Sequence, residues 1–173
     1  MSRRNRVETA PLDQVQRAVA LINIGARSHV IFSETNLSKD HVYRLYNKIT
    51  GKPSSKGLSP HDPEWFMPWQ HNIHASLFAN IYADLNIRLD VDQIDVTIRA
   101  YELYLECVKT HGMRQVLSFS RAWQLVRCID TRVLKWTACG KCGYDFVTYT
   151  YILDKSFVCG LCNPPARAGM RGV

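Results

Sequence analysis

The chain has 173 residues, of which 46% are hydrophobic and 21% are charged, and its formal net charge is +7. This composition excludes a mainly disordered chain, and the length suits one ordinary domain with a small appendage. The charge is uneven, because residues 1–60 carry ten basic and four acidic side chains, residues 61–110 three and eight, and residues 111–173 nine and three. The two basic ends suit a polyanion such as nucleic acid, whereas the acidic middle does not.

The N-terminal third predicts three helices. Apolar residues recur at three- and four-residue steps through Leu12, Val15, Val19 and Ile22, which indicates a helix over residues 11–24. A short helix over 26–34 and a third over 39–50 follow. Ser38 suits the N-cap of the third helix, and Gly51 ends it before a loop over residues 51–63 that is rich in Gly, Pro and Ser.

The second and third of these helices form a candidate helix-turn-helix pair. We expect Asn36 to adopt the left-handed conformation at the turn and Leu37 to fill the angle between the helices. Phe32 argues against the pair, because a small residue is usual where the first helix touches the second. The candidate DNA-binding residues are Arg27, Ser38, Lys39, Tyr43, Arg44, Lys48, Lys141 and Arg167. An ordinary helical hairpin with a solvated basic face explains the same local pattern.

The middle of the chain predicts helices that are rich in aromatic residues, over residues 63–85, 91–109 and 116–135. The acidic, aromatic composition favours a protein partner, and Trp65 and Trp69 are our candidate partner-binding residues. Packing within the core is the alternative for both. His71 and His74 lie three residues apart, but without a third ligand nearby they favour packing over metal binding.

The strongest pattern is a pair of C-x-x-C motifs, Cys139 with Cys142 and Cys159 with Cys162, separated by sixteen residues. This is zinc-ribbon spacing, because a two-residue gap turns both sulfurs toward one point about 2.3 Å from a metal. Four thiolates complete a tetrahedral Zn²⁺ and leave no position for a substrate, so we predict one structural Zn²⁺ per chain. Residues 144–152 alternate and favour a strand. Two disulfides, a redox-active pair and an iron–sulfur site are the alternatives.

These patterns together predict a mainly α protein, in which a helical domain containing a helix-turn-helix-like pair precedes a small four-cysteine segment that resembles a zinc ribbon. We expect a flexible basic arm over residues 1–10, a helical DNA-binding and partner-binding domain over 11–136, the four-cysteine zinc segment over 137–165 and a short tail over 166–173. No nucleotide-binding loop, nucleophile elbow or kinase motif is present, so we do not expect an enzyme. With no signal peptide and no membrane-length apolar run, the sequence predicts a cytoplasmic protein without a membrane span.

Several stretches resemble a known family when they are taken together with the cysteine quartet: LINIGAR (21–27), SETNLSKDHVYRLYNKITGKP (33–53), HASLFANIY (74–82), AYELYLE (100–106), SRAWQLVR (120–127) and CGLCNPPARA (159–168). In their order, across nearly the whole chain, they resemble the FlhC family of flagellar transcriptional regulators.

The resemblance implies a concrete function. It implies a transcriptional activator that works in a complex of four FlhD and two FlhC subunits, binds double-stranded promoter DNA of flagellar operons and assists RNA polymerase. It also implies that the four cysteines bind zinc. The alternative function is a zinc-ribbon protein that binds RNA or the ribosome. A zinc enzyme is a second rival, and it would need an open coordination position.

Overall fold

Three helices near the N-terminus make up the first part of the computed structural model, which describes residues 12–54, 62–153, 157–166 and 168. The chain divides into two compact units, Met1–Ser59 and Pro60–Val173, and each is described by itself. The first unit holds α1 (Leu12–Asn23), α2 (Ser28–Glu34) and α3 (Lys39–Thr50). The three predicted helices are therefore confirmed within two residues at each end, whereas the domain limits expected from the sequence stay a prediction.

The ends of these helices follow from local chemistry. Gly25, with φ of 79°, follows α1, and the Ala26 N–H donates to the Leu21 carbonyl at 2.9 Å. Ser38 caps α3, because its hydroxyl accepts from the His41 N–H at 3.4 Å. Gly51 ends α3 in the left-handed conformation. The core between the helices consists of aliphatic side chains, among them Leu21, Val30, Ile31 and Val42.

The turn between α2 and α3 differs from the sequence expectation. Among the described residues, Arg132 is the one non-glycine residue with a positive φ, so the prediction of a left-handed Asn36 is wrong. The chain leaves α2 through Thr35 in an extended conformation (φ −137°, ψ 152°), and this geometry needs no left-handed residue. Leu37 is buried, as expected for the side chain that fills the angle between the helices.

Where the structure describes it, the second unit consists of helices and one β-hairpin. It contains a short 3-10 helix (Pro63–Phe66), α4 (Trp69–Arg88), α5 (Gln93–Thr110), α6 (Phe119–Asp130), β1 (Leu134–Ala138) and β2 (Asp145–Tyr149). The two strands are antiparallel, in a register that runs from the Leu134–Tyr149 pair to the Ala138–Asp145 pair. With six α-helices in the described residues and a four-cysteine segment after them, the mainly α fold class is confirmed.

Two helices of the second unit differ from the sequence expectation. The helix predicted over 63–85 is split, because Pro68 stands as the N-cap of α4 and separates it from the 3-10 helix. The helix predicted over 116–135 ends at Asp130, because Arg132 takes a left-handed φ of 57° and turns the chain into β1. Leu134 and Lys135, expected in a helix, instead pair with β2.

Aromatic rings fill the core of the second unit. The side chains of Phe66, Phe78, Tyr101, Tyr104 and Phe119 are almost completely buried. The Tyr101 hydroxyl donates to the Leu117 carbonyl at 3.0 Å, and burial raises the pKa of Tyr101 to about 12. Within the part of the chain that the structure describes, no helix combines the length and the apolar character that a membrane span needs.

Candidate metal centre and nucleic-acid face

Four thiol groups converge at one end of the β-hairpin. Cys139 follows the last residue of β1, Cys142 lies in the turn to β2, and Cys159 and Cys162 belong to a second turn after it. All four Sγ atoms lie within 4.8 Å of one another, and those of Cys142 and Cys159 are 3.8 Å apart. A tetrahedral zinc with bonds of about 2.3 Å has sulfur–sulfur edges of ~3.8 Å. The donor set therefore fits a tetrahedral metal ion such as zinc.

Backbone hydrogen bonds shape both turns. In the first turn the Gly143 N–H donates to the Cys139 carbonyl at 2.8 Å, and the Lys141 N–H points at the Cys139 sulfur at 3.4 Å. In the second turn the Cys162 N–H points at the Cys159 sulfur at 3.4 Å. The Cys159 N–H also points at the Cys139 sulfur, at 3.3 Å, and so links the two turns. These donors stabilise negative charge on sulfur, the form in which cysteine binds metals.

Two of the four thiols differ strongly in acidity. Backbone N–H groups, chiefly that of Cys159 and then that of Cys142, lower the pKa of Cys139 to about 6. Hydrogen bonding to the neighbouring cysteines, chiefly Cys159 and then Cys142, raises the pKa of Cys162 to about 12. The Cys139 thiolate is therefore favoured and the Cys162 thiolate is opposed, and a metal ion bound among the sulfurs would offset that opposition.

A small apolar core surrounds the sulfurs. Cys139, Phe146 and Cys159 are buried together, and Phe157, Val158 and Cys162 pack against them. Cys142 is exposed, so the cluster lies near the surface on that side. None of the four cysteines forms a disulfide, which disfavours the two-disulfide alternative. With all four donors cysteines, a bound tetrahedral ion would have no open position, so the arrangement suits a structural ion and not a catalytic one.

Helix α4 holds the hairpin through a row of polar side chains. The Asn72 side-chain amide donates to the Val147 carbonyl at 2.8 Å, and the Ser76 hydroxyl accepts from the Val147 N–H at 2.9 Å. One turn further, the Asn80 amide donates to the Asp145 carbonyl at 2.9 Å. The three side chains lie four residues apart on one helix face. They form hydrogen bonds with backbone N–H and C=O groups on the edge of β2 that faces away from β1. The sequence analysis did not predict this role. The signal that could have indicated it is the recurrence of a polar residue every fourth position in an otherwise apolar and aromatic helix.

Both candidate partner-binding tryptophans have contacts within the second unit. The Trp65 ring stacks on the His71 ring at 4.0 Å, and the Arg121 guanidinium lies 4.5 Å from the Trp65 centroid. The Trp69 indole N–H donates to the Gly160 carbonyl at 2.8 Å. Each tryptophan is partly buried, which leaves part of each ring accessible, and partner binding by either stays a prediction.

The neighbouring histidines belong to the packing of this unit. His71 Nδ1 lies 2.8 Å from the Trp65 carbonyl oxygen, and His74 Nδ1 lies 2.8 Å from the Tyr104 hydroxyl. Burial, followed by the nearby His71, lowers the pKa of His74. Within the described residues, the cysteine quartet is the one group of three or more His, Cys, Asp or Glu side chains whose atoms converge on a point.

Six of the predicted DNA-binding residues lie in the first unit, and all six are exposed or close to the surface: Arg27, Ser38, Lys39, Tyr43, Arg44 and Lys48. The Ser38 hydroxyl is occupied as the cap of α3, and the Tyr43 ring packs edge-on against Phe32 at 5.5 Å. Phe32, the residue that counted against a helix-turn-helix pair, thus joins α2 to α3. The Arg44 Nε donates to the Asp40 carbonyl at 3.3 Å.

The other two predicted DNA-binding residues lie in the C-terminal segment. Lys141 is exposed in the turn between Cys139 and Cys142, and Arg167 lies outside the described residues. DNA contact by any of the eight residues stays a prediction.

Comparison with known proteins gives a consistent result. The model of the family described as "Flagellar transcriptional activator (FlhC)" matches residues 2–172. A flagellar transcriptional regulator FlhC from Verminephrobacter eiseniae is 51% identical over 156 residues, which cover 90% of this chain and 84% of that protein. The regulator of the same name from Thauera aminoaromatica is 39% identical over 169 residues, 98% and 86% of the two chains. The regulator of that name from Enterobacter cloacae is 41% identical over 158 residues, which cover 91% of this chain and 83% of that protein.

Proposed function

Because the chain belongs to the FlhC family of flagellar transcriptional activators, which is not a family of enzymes, we propose that it binds the promoters of flagellar operons and activates their transcription. The observation that carries the DNA-binding part is the basic outer face of α3. This helix is capped by Ser38 and anchored by the buried Val42, while Lys39, Arg44 and Lys48 remain exposed. A rigid helix that presents cations to solvent suits contact with phosphates and, near its start, with base edges.

The salt dependence of promoter binding tests the role of α3. Each lost phosphate contact lowers the slope of log K against log salt by about 0.9 for double-stranded DNA. We expect Arg44→Ala and Lys48→Ala each to weaken binding of the purified complex to a promoter duplex and to reduce this slope. Arg88→Ala is the matched control, because it removes the same charge from an exposed pair with Asp84 in the second unit. Slopes unchanged in both α3 variants would contradict the proposal.

The same assay separates base reading from phosphate contact. A residue that reads a base changes the preference at one position of the site, whereas a phosphate contact weakens binding to all sequences alike. Lys141→Ala, in the first C-x-x-C turn, asks whether the metal segment contacts DNA as well. Structured RNA added as a competitor tests the alternative function. Displacement of promoter DNA by RNA at lower concentrations than by unlabelled promoter would favour an RNA-binding protein.

We propose that one structural zinc ion binds Cys139, Cys142, Cys159 and Cys162 in each chain. The distances between the sulfurs and the backbone donors around them support this set of ligands. A bound zinc would supply folding free energy to a segment that is too short to form a large core of its own. We expect elemental analysis to find one zinc per chain and cysteine-to-serine replacements to lower both zinc content and thermal stability. A replacement that keeps the fold but abolishes a catalytic turnover would contradict the structural role.

We further propose that the chain acts in the cytoplasm as part of a complex of four FlhD and two FlhC subunits that assists RNA polymerase. The aromatic start of the second unit is the proposed FlhD-binding surface, with Trp65 and Trp69 as its candidate contacts. Co-purification with FlhD tests this surface: Trp65→Ala and Trp69→Ala should each lose FlhD while keeping the helical circular dichroism signal. Because Trp69 also contacts Gly160, its variant is compared at equal zinc content. Unchanged assembly in both variants would contradict the surface.

A further inference from the structure

We propose that Trp69 is a positioning residue for the metal centre, acting from the first turn of α4 to hold the second C-x-x-C pair in place. The inference rests on the zinc site proposed above and gives that site a support outside the cysteine segment. It concerns the geometry of the centre and not partner binding, since the half-buried indole can provide this support whether or not a partner covers its outer side.

The contact between Trp69 and the second pair is close and specific. The indole Nε1–H donates to the Gly160 carbonyl at 2.8 Å, and Gly160 lies between Cys159 and Cys162. A Cβ atom at position 160 would lie 2.6 Å from the Trp69 Cδ1 and 3.1 Å from its Nε1. The ring therefore occupies the space that a side chain at position 160 would need. Gly160 is required here by the close approach of the ring and not by its backbone conformation, because its φ lies outside the left-handed range.

Helix α4 joins the two cysteine pairs through different side chains. The first pair lies at the end of the β-hairpin, which Asn72 and Ser76 attach to α4 through both backbone groups of Val147. The second pair follows the hairpin and lies in no strand or helix. Its described connections include the Gly140 N–H, which donates to the Phe157 carbonyl at 2.9 Å, and the indole of Trp69. Two turns of one helix thus hold both halves of the site.

This arrangement explains why the four sulfurs lie so close together. Sixteen residues separate Cys142 from Cys159, and closing such a loop costs conformational entropy that metal binding must otherwise offset. Contacts with α4 order part of this loop before the metal binds, so less of the metal's binding free energy is spent on ordering the loop. Removing a group that supports metal ligands in this way typically weakens metal affinity by about 10- to 100-fold.

The test measures zinc affinity of the whole chain by competition with a chromophoric chelator, together with the absorption spectrum of the Co²⁺-loaded protein. We expect Trp69→Phe, which keeps a ring but loses the indole N–H, to bind zinc about tenfold more weakly or worse. Its Co²⁺ spectrum should also change, because the second pair is less firmly oriented. Trp136→Phe, in β1, is the matched control, since it removes an indole N–H that has no hydrogen-bond partner among the described residues. It should bind zinc like the wild type.

A double-mutant cycle isolates the steric part of the contact. Gly160→Ala should weaken zinc binding in the wild-type background, because the new Cβ displaces the Trp69 ring. In a Trp69→Ala background the same change should cost little further affinity, because the obstructing ring is gone. An equal loss in both backgrounds, or a Trp69→Phe variant with wild-type affinity and spectrum, would overturn the inference.

Two controls separate the possible failures. Loss of the helical circular dichroism signal in zinc-saturated Trp69→Phe would also count against the proposal, because it would show a general role in folding and not one in positioning. A wild-type chain that binds no metal would refute the zinc site proposed above and this inference with it. Wild-type binding that none of the variants changes would refute the role of Trp69 alone.

Discussion

The row of polar side chains on α4 leads to a quantitative prediction about how the β-hairpin is held. Ser76 is 2% exposed and Val147 is 1% exposed, and the hydrogen bond between the Ser76 hydroxyl and the Val147 N–H is buried. Ser76→Ala leaves this N–H without its acceptor, which costs about 1–3 kcal/mol. Alanine's higher helix propensity returns up to about 0.5 kcal/mol. We therefore expect the free energy of unfolding to fall by about 0.5–3 kcal/mol.

Asn80→Ala is the matched control on the same helix face. The Asp145 carbonyl that accepts from Asn80 belongs to an exposed residue, so water replaces the lost donor, and the change should cost less than about 0.5 kcal/mol. Urea denaturation of the zinc-saturated variants, followed by circular dichroism, measures both values. The reasoning fails if Ser76→Ala is neutral, or if the two variants lose the same amount. Either result would mean that the edge of β2 does not depend on the buried hydrogen bond.

Three more predictions concern the second unit. Tyr104→Phe removes the hydrogen-bond partner of both the Leu117 N–H and His74, so the free energy of unfolding in urea should fall by about 2–4 kcal/mol. Tyr101→Phe should lower it by only about 1 kcal/mol, because the Leu117 carbonyl keeps the Gln115 side-chain amide as a donor. Burial lowers the pKa of His74 below its ordinary 6.5, so as the pH falls the unfolded chain takes up this proton before the folded chain does. The stability that neutral His74 contributes should therefore be fully present above pH 6.5 and be lost as the pH drops toward the folded-state pKa. His74→Gln should flatten that part of the stability profile, and an unaltered profile would contradict this origin. Removing the metal with a chelator should lower the thermal midpoint, and added Zn²⁺ should restore it; a midpoint that does not respond to zinc would argue against a structural ion.

The sequence by itself determined the features that depend on local spacing. The stripe of apolar residues predicts α1 because a helix brings every third or fourth residue to one face, and the fold confirms it. Ser38 and Gly51 mark the two ends of α3 because capping depends on a few neighbouring atoms. The two C-x-x-C motifs predict a cluster because each short turn can direct both sulfurs to one point, and the four thiols do converge. Such features need no knowledge of distant parts of the chain.

Tertiary structure alone decided the features that depend on distant partners. Leu134 and Lys135 continue a helical pattern, yet they form β1 because β2 offers them backbone partners. Asn36 carries a side chain suited to a left-handed turn, but the packing of Leu37 between the helices is achieved by an extended connection. The contact of Trp69 with Gly160 joins residues 91 positions apart, and no local pattern records it. Hydrogen-bond partners and packing surfaces of this kind exist only once the chain has folded, which is why the support of the metal centre became visible in the structure and not before.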